Sequence, residues 1–158
     1  METKILQQIQ KQVEEFMEHL GVSPEIMVES DEENQIRIKL FEKDDKPLGF
    51  LIGYHGETLR SLQLLLSLMV NKGKAPFLRI LLDIGDYRKA REETLEQMAK
   101  EAVEKVKETG EPVELWPMSP MDRRFIHLTV SKISDLQTES VGEDYDRRVV
   151  IKLASLAF

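Results

Sequence analysis

Residues 48–72, LGFLIGYHGETLRSLQLLLSLMVNK, constrain the fold more than any other stretch of the chain. An apolar turn, Phe50-Leu51-Ile52, runs into Gly53-Tyr54-His55-Gly56, and a second apolar run opens at once with Glu57-Thr58-Leu59. Two glycines with two residues between them, set between helix-like segments, ask for a backbone that turns tightly and stays bare. Glycine reaches positive φ at little cost and has no Cβ to hold off a ligand approaching the main chain. The helix that follows offers unpaired N–H groups at its N-terminus, which suit a phosphate. Alone, G-x-x-G equally describes an ordinary helix–turn–helix corner, so its setting has to decide.

The periodicity supplies that setting. Ile5, Leu6, Ile9, Val13, Phe16, Met17 and Leu20 recur at helical spacing over 3–20, and Gly21 ends that helix. A short strand is expected over 25–29. Beyond a polar turn at 30–34, Ile36, Ile38 and Leu40 alternate with Arg37, Lys39 and Phe41 as a half-buried strand. A turn at 43–47 leads into the glycines. In the next helix Leu59, Leu62, Leu65, Leu66 and Met69 make a core stripe, with Leu64, Leu68 and Val70 off it. A helix apolar nearly all round is expected to be buried on two sides, covered either by the second module or by a partner subunit. A turn at 71–76 and an apolar strand over 77–84 complete a helix, strand, strand, helix, G-x-x-G, helix, strand order.

Asp86 reads as the N-cap of a long helix over 87–109, striped by Leu95, Met98, Ala99, Ala102, Val103 and Val106. Gly110 and Pro112 stop it, and a strand over 113–116 follows. Ser119 at N-cap, Pro120 at N1 and Asp122 behind them mark a second helix start. Arg123 and His127, four residues apart, share one face with Arg124 beside them, while Met121, Phe125 and Leu128 face the other way. Strands over 136–141 and 147–153 close the chain. The whole reads as an α+β protein with two modules, 1–86 and 87–158.

Charge limits the partners. The net charge of −7 argues against a generic polyanion binder. Residues 1–58 hold 6 Lys/Arg against 13 Asp/Glu, whereas 59–158 hold 16 of each, so local basic clusters survive in the second part. With 0 Cys there is no disulfide framework and no thiolate metal site. No metal or other cofactor is expected. No apolar run approaches a membrane span, and METKILQQIQ has no signal-peptide pattern, so a cytoplasmic protein is expected. His19, His55 and His127 are widely separated, and no metalloprotease, P-loop, nucleophile-elbow or dinucleotide motif occurs, so catalysis is not expected.

Four stretches in order, LIGYHGETLRSLQLLLSLMVNK, LDIGDYRKAREETLEQMA, PVELWPMSPMDRRFIHL and DRRVVIKL, resemble the Jag family (SpoIIIJ-associated, also called KhpB or EloR). That family joins a K-homology (KH) domain to an R-3-H domain, named for an Arg and a His with three residues between them. The resemblance implies a prokaryotic-type KH domain (αββααβ, a three-stranded sheet covered by helices) and then a small α/β R-3-H domain with helices on a three-stranded sheet. It implies binding of single-stranded nucleic acid, chiefly RNA, with single-stranded DNA the other candidate. It further implies post-transcriptional control connected with bacterial cell elongation, division or sporulation. It also implies a homodimer, or pairing with a small KH-only protein through the helix over 59–70. Many members carry a further N-terminal domain and linker, which this sequence is expected to lack. Where the family loop usually reads GKRG, this chain has Tyr54 and His55, so the loop carries no fixed positive charge at neutral pH.

The residues expected to contact nucleic acid are Gly53, Tyr54, His55, Gly56 and Arg60 in the first module and Arg123, Arg124 and His127 in the second. Gly53 and Gly56 would admit the nucleic-acid backbone, and Gly53→Asp is expected to abolish binding while folding is kept. Ile52 and Leu59 either floor the groove or are plain core, and Arg60 and Lys72 either touch phosphate or are solvated. Tyr54 either stacks on a base or is a surface aromatic. Arg123 and His127 either contact the ligand or brace the strands through hydrogen bonds. Trp116 either stacks or, as a lone Trp before a Pro, lies in the core. Arg147 and Arg148 either extend the basic patch or blunt an edge strand. The competing function is a protein-interaction module whose loop has lost nucleic-acid affinity, supported by the net charge, the non-basic loop and Leu64 and Leu68.

Overall fold

Alternation along three short strands builds the first half of the molecule. In a computed structural model that describes residues 2–31, 35–44, 46–73 and 76–154, two compact units emerge, Met1–Arg88 and Lys89–Phe158. Parts of the turns expected at 30–34, 43–47 and 71–76 lie outside the described residues.

The first unit runs α1 (Glu2–His19), β1 (Glu25–Ser30), β2 (Gln35–Phe41), α2 (Gly49–Ile52), a 3-10 turn (Tyr54–Gly56), α3 (Glu57–Asn71) and β3 (Arg79–Ile84). The sheet order is β1-β2-β3, with β1 antiparallel and β3 parallel to β2. Period-2 side-chain alternation sends Ile36, Ile38 and Leu40 to one face. The register places Ile38 opposite Val28 on one side and Leu82 on the other, so one apolar row crosses all three strands. Ile9, Val13 and Met17 of α1 and Leu59, Leu62, Leu66 and Val70 of α3 bury against that sheet.

The phase of α3 differs from its sequence reading. Val70 is core, while Leu65 and Met69 join Leu64 and Leu68 on the exposed side. The buried row is therefore 59, 62, 66 and 70, and it extends to Asn71, a polar residue that leucine periodicity cannot flag. Asn71 tolerates burial because its side chain is fully used. Its amide donates to the Ser67 and Leu78 carbonyls, and its Oδ1 accepts from Leu78 N–H. In the chain by itself Leu64 and Leu68 each remain 60% exposed, so the first unit covers only one side of this helix.

The second unit contains most of α4 (Tyr87–Thr109), then β4 (Val113–Glu114), α5 (Pro120–Val130), β5 (Leu136–Val141), a 3-10 turn (Asp144–Asp146) and β6 (Arg148–Leu153). Its antiparallel sheet has the order β4-β6-β5. Leu95, Ala99, Ala102, Val103 and Val106 of α4 meet Ile126 and Val130 of α5 and Val149 and Ile151 of β6 in its core. Since β6 is central, the reading of Arg147-Arg148 as guards of an edge strand is corrected.

Two further corrections concern helix starts. Asp86 does not act as the cap expected of it: it sits at φ +57° and its carboxylate pairs with Lys39 at 3.0 Å. The carboxylate that accepts from the first turn of α4 is Asp83, 3.2 Å from Arg88 N–H. Ser119 does cap α5, its hydroxyl accepting from Asp122 N–H at 3.2 Å. The buried face of α5, however, is Asp122, Ile126 and Val130, and Met121 and Leu128 are exposed. Burial of Asp122 is offset by Arg91 of α4, whose guanidinium lies 2.9 Å from its carboxylate.

Candidate nucleic-acid interface

The glycine corner of the first unit is built by positive φ angles. Gly53 has φ +69° and ψ −171°, His55 φ +47° and Gly56 φ +79°. The Gly53 conformation belongs to a region that side chains other than glycine avoid. A Cβ added at Gly53 would overlap the Thr58 hydroxyl, and one at Gly56 would come within 3.0 Å of the Tyr87 ring. Both positions thus favour glycine through the fold itself, Gly53 most strongly, with or without a ligand. At Gly53 this geometry argues against the expectation that Gly53→Asp would leave folding intact.

The two residues between the glycines make a different kind of surface. The Tyr54 and His55 rings stack with centroids 4.0 Å apart and planes 20° from parallel, and Tyr54 is 66% exposed. Arg60 reaches back from α3 to place Nη1 3.3 Å from the His55 carbonyl, so its guanidinium ties the loop down. No side chain caps α3 at Gly56, so its first N–H groups have no capping acceptor there. Leu59 is core and Ile52 is half-buried against it; Lys72 is exposed at the far end of α3.

In the second unit the sequence brings Arg123 and His127 onto the α5 face that meets β5. His127 is half-buried, with Nδ1 2.6 Å from Thr138 Oγ1 and Nε2 2.9 Å from Ser140 Oγ. Both ring nitrogens are therefore engaged by hydroxyls two residues apart on one face of β5, which favours the bracing role over direct ligand contact. Burial, and then the Arg123 charge, lowers the His127 pKa below the usual histidine value. Arg123 is different. Its Nε is buried without a hydrogen-bond partner, and its pKa is lowered first by burial and then by Arg147. Arg124 is exposed beside it, whereas Arg148 is engaged with Glu114 at 2.8 Å.

Trp116 is 77% exposed, so the core expectation for it is corrected in favour of an outward ring. Sequence reasoning missed Thr138 and Ser140, although their alternate positions on a strand were a usable signal. It also missed Tyr145, which stands 85% exposed just before Arg147. Among the described residues no group of three or more His, Asp or Glu is placed to hold a metal ion, and no helix is long and apolar enough to cross a membrane.

Comparison with known proteins adds the family. Residues 7–81 match the KH domain of KhpA/KhpB, and residues 93–153 match the R-3-H domain. A protein from Clostridium symbiosum named RNA-binding protein KhpB is 41% identical over 142 residues, covering 89% of this chain and 63% of that protein. Its namesake in Bacillus subtilis (strain 168) is 35% identical over 103 residues, covering 64% of this chain and 50% of that protein. One from Streptococcus pneumoniae (strain D39) is 30% identical over 122 residues, covering 77% of this chain and 37% of that protein. The chain thus spans 37% to 63% of the length of these three relatives.

Fold, motif geometry and both matches define a KH domain followed by an R-3-H domain. The chain belongs to the Jag family of such two-module proteins, the family of KhpB.

Proposed function

We propose that this chain binds single-stranded RNA through both modules, divided functionally at 86/87, and acts as a bacterial post-transcriptional regulator. It works in the cytoplasm by occupying its target, with no chemical step. The observation that carries this reading is the Arg123 guanidinium, whose Nε is buried without a hydrogen-bond partner, with the exposed Arg147 as a second cation acting on it and neither in an ion pair among the described residues. Such an arrangement attracts a polyanion locally although the chain as a whole is acidic. Arg124 adds an exposed cation beside them. Tyr54, His55 and Arg60 with the α3 N-terminus form the second, weaker contact, and the names of the relatives support RNA as the ligand. Titration of short single-stranded RNA by fluorescence anisotropy across a salt series tests this. For single strands log K should fall with log salt by about 0.7 per neutralised phosphate. Folded protein that binds nothing at low salt would overturn it.

A second reading, protein association, is favoured by the aliphatic strip Leu64, Leu65 and Leu68 on α3, exposed at 60%, 48% and 60%. We propose that this strip pairs the chain with a second KH domain, its own copy or a small KH-only protein. Leu68→Asp should then lower the mass seen by light scattering without weakening RNA binding to the second module.

A further inference from the structure

We propose that Trp116 and Tyr145 are base-stacking residues of the second unit, receiving consecutive bases of single-stranded RNA whose phosphates lie against Arg147 and Arg123. This rests on the RNA-binding reading and adds a site to it.

The two rings are brought to one end of the sheet by backbone pairing. Leu115 N–H donates to the Val149 carbonyl and Met118 N–H to that of Arg147, so Trp116 is held alongside the start of β6. Tyr145 occupies the 3-10 turn that feeds β6, closed by Asp146 N–H to Glu143 O and Arg147 N–H to Asp144 O. Gly142 lets that turn close, since a Cβ there would sit 2.8 Å from the Asp146 carbonyl. Tyr145 is therefore presented by a fixed turn rather than a loose loop.

Exposure and charge then select the occupant. At 77% and 85% these are the most exposed large hydrophobic side chains among the described residues, and Trp116 is the single Trp of the chain. Glu143, Asp144 and Asp146 surround Tyr145 and repel a phosphate, so that turn accepts the uncharged face of a base. Arg147, next in sequence, forms no ion pair among the described residues, whereas Arg148 is held by Glu114. Aromatic faces beside unengaged guanidiniums suit unstacked bases, whose sequence-tolerant stacking needs only a π-face. The exposed strip of α3 is aliphatic and contains no cation, which makes it a poor stacking surface by the same criterion.

The lone Trp gives a direct readout. The full chain is titrated with a ten-nucleotide oligoadenylate and with an abasic strand of equal length and charge, following Trp116 fluorescence and anisotropy. Oligoadenylate should quench Trp116, and the abasic strand should bind more weakly without quenching. Trp116→Ala and Tyr145→Ala should each weaken oligoadenylate binding by about 5- to 150-fold, while Trp116→Phe keeps most of it. Both side chains are exposed, so circular dichroism should show folded variants. If the alanine variants bind like wild type while Arg123→Ala does not, the stacking assignment is overturned and RNA binding stands. If they change self-association instead, the surface is a protein interface. If folded wild type binds no strand at all, the RNA reading fails and the stacking site with it.

Discussion

The glycine corner and the Arg–His face both carry the motif residues of their modules, yet they differ in what the fold leaves over. At the corner, Gly53 and Gly56 are accounted for by Thr58 and Tyr87, and Arg60 is drawn onto the loop carbonyl. At the Arg–His face, His127 is consumed by Thr138 and Ser140, but Arg123 keeps a buried nitrogen without a partner beside a second arginine. A motif residue can thus be indispensable for either of two reasons, and only the leftover groups speak for a ligand. By that measure the second unit should supply most of the RNA affinity.

The largest effect expected is on stability. Gly53→Ala combines positive-φ strain with overlap onto Thr58 and should cost the first unit about 4 kcal/mol in urea denaturation. Tyr54→Asp with His55→Asp should cost far less than Gly53→Ala, because Tyr54 is exposed and aspartate tolerates the left-handed backbone at His55. A Gly53→Ala variant as stable as wild type would break the claim that the corner's glycines serve the fold.

Next comes the strut under the Arg–His face. Arg91→Ala strands the Asp122 carboxylate, whose side chain is only 10% exposed, and should cost the second unit about 3 kcal/mol by the same measurement. A cost below about 1 kcal/mol would show that the pair behaves as a surface one.

Smaller effects separate the two regions as ligand sites. Arg123→Ala should weaken RNA binding about tenfold, the loss of one charge-assisted contact, and flatten the salt slope by about 0.7. The paired change at Tyr54 and His55 should cost less than Arg123→Ala despite adding two negative charges. The reverse order would move the main site to the corner.

The smallest is a pH dependence. His127 has a folded pKa below its unfolded value, because burial and then Arg123 disfavour its protonation. The unfolded chain therefore binds the extra proton first, and stability rises with pH in that window. The contribution is complete above about pH 6.5 and is lost as pH falls toward the lower folded value. Melting followed from pH 8 to pH 5 should show this slope in wild type and a shallower one in His127→Gln.

The local signals in the sequence were sound. Alternation found β2, and Ser119-Pro120 marked the start of α5, because both depend on near neighbours. What escaped was set by distant partners. Leucines on every side of α3 blurred its phase, so that Leu65, Met69 and Val70 were misplaced, and Asn71 became core only through Leu78 across the turn. Asp86 looked like a cap, but Asp83 reaches the helix from the end of β3. The glycines of the loop were legible as a motif, while their reason, Thr58 and Tyr87, depended on the folded backbone. His127 was legible as half of a motif, and its two hydroxyl partners came from a strand eleven and thirteen residues on.

The most direct test is a parallel anisotropy titration of wild type, Arg123→Ala and Tyr54→Asp/His55→Asp against short single-stranded RNA from low to moderate salt. Binding should be saturable and salt-sensitive in wild type, about tenfold weaker with a flatter slope in Arg123→Ala, and less weakened in the loop variant. Equal binding by wild type and folded Arg123→Ala at every salt concentration would contradict this.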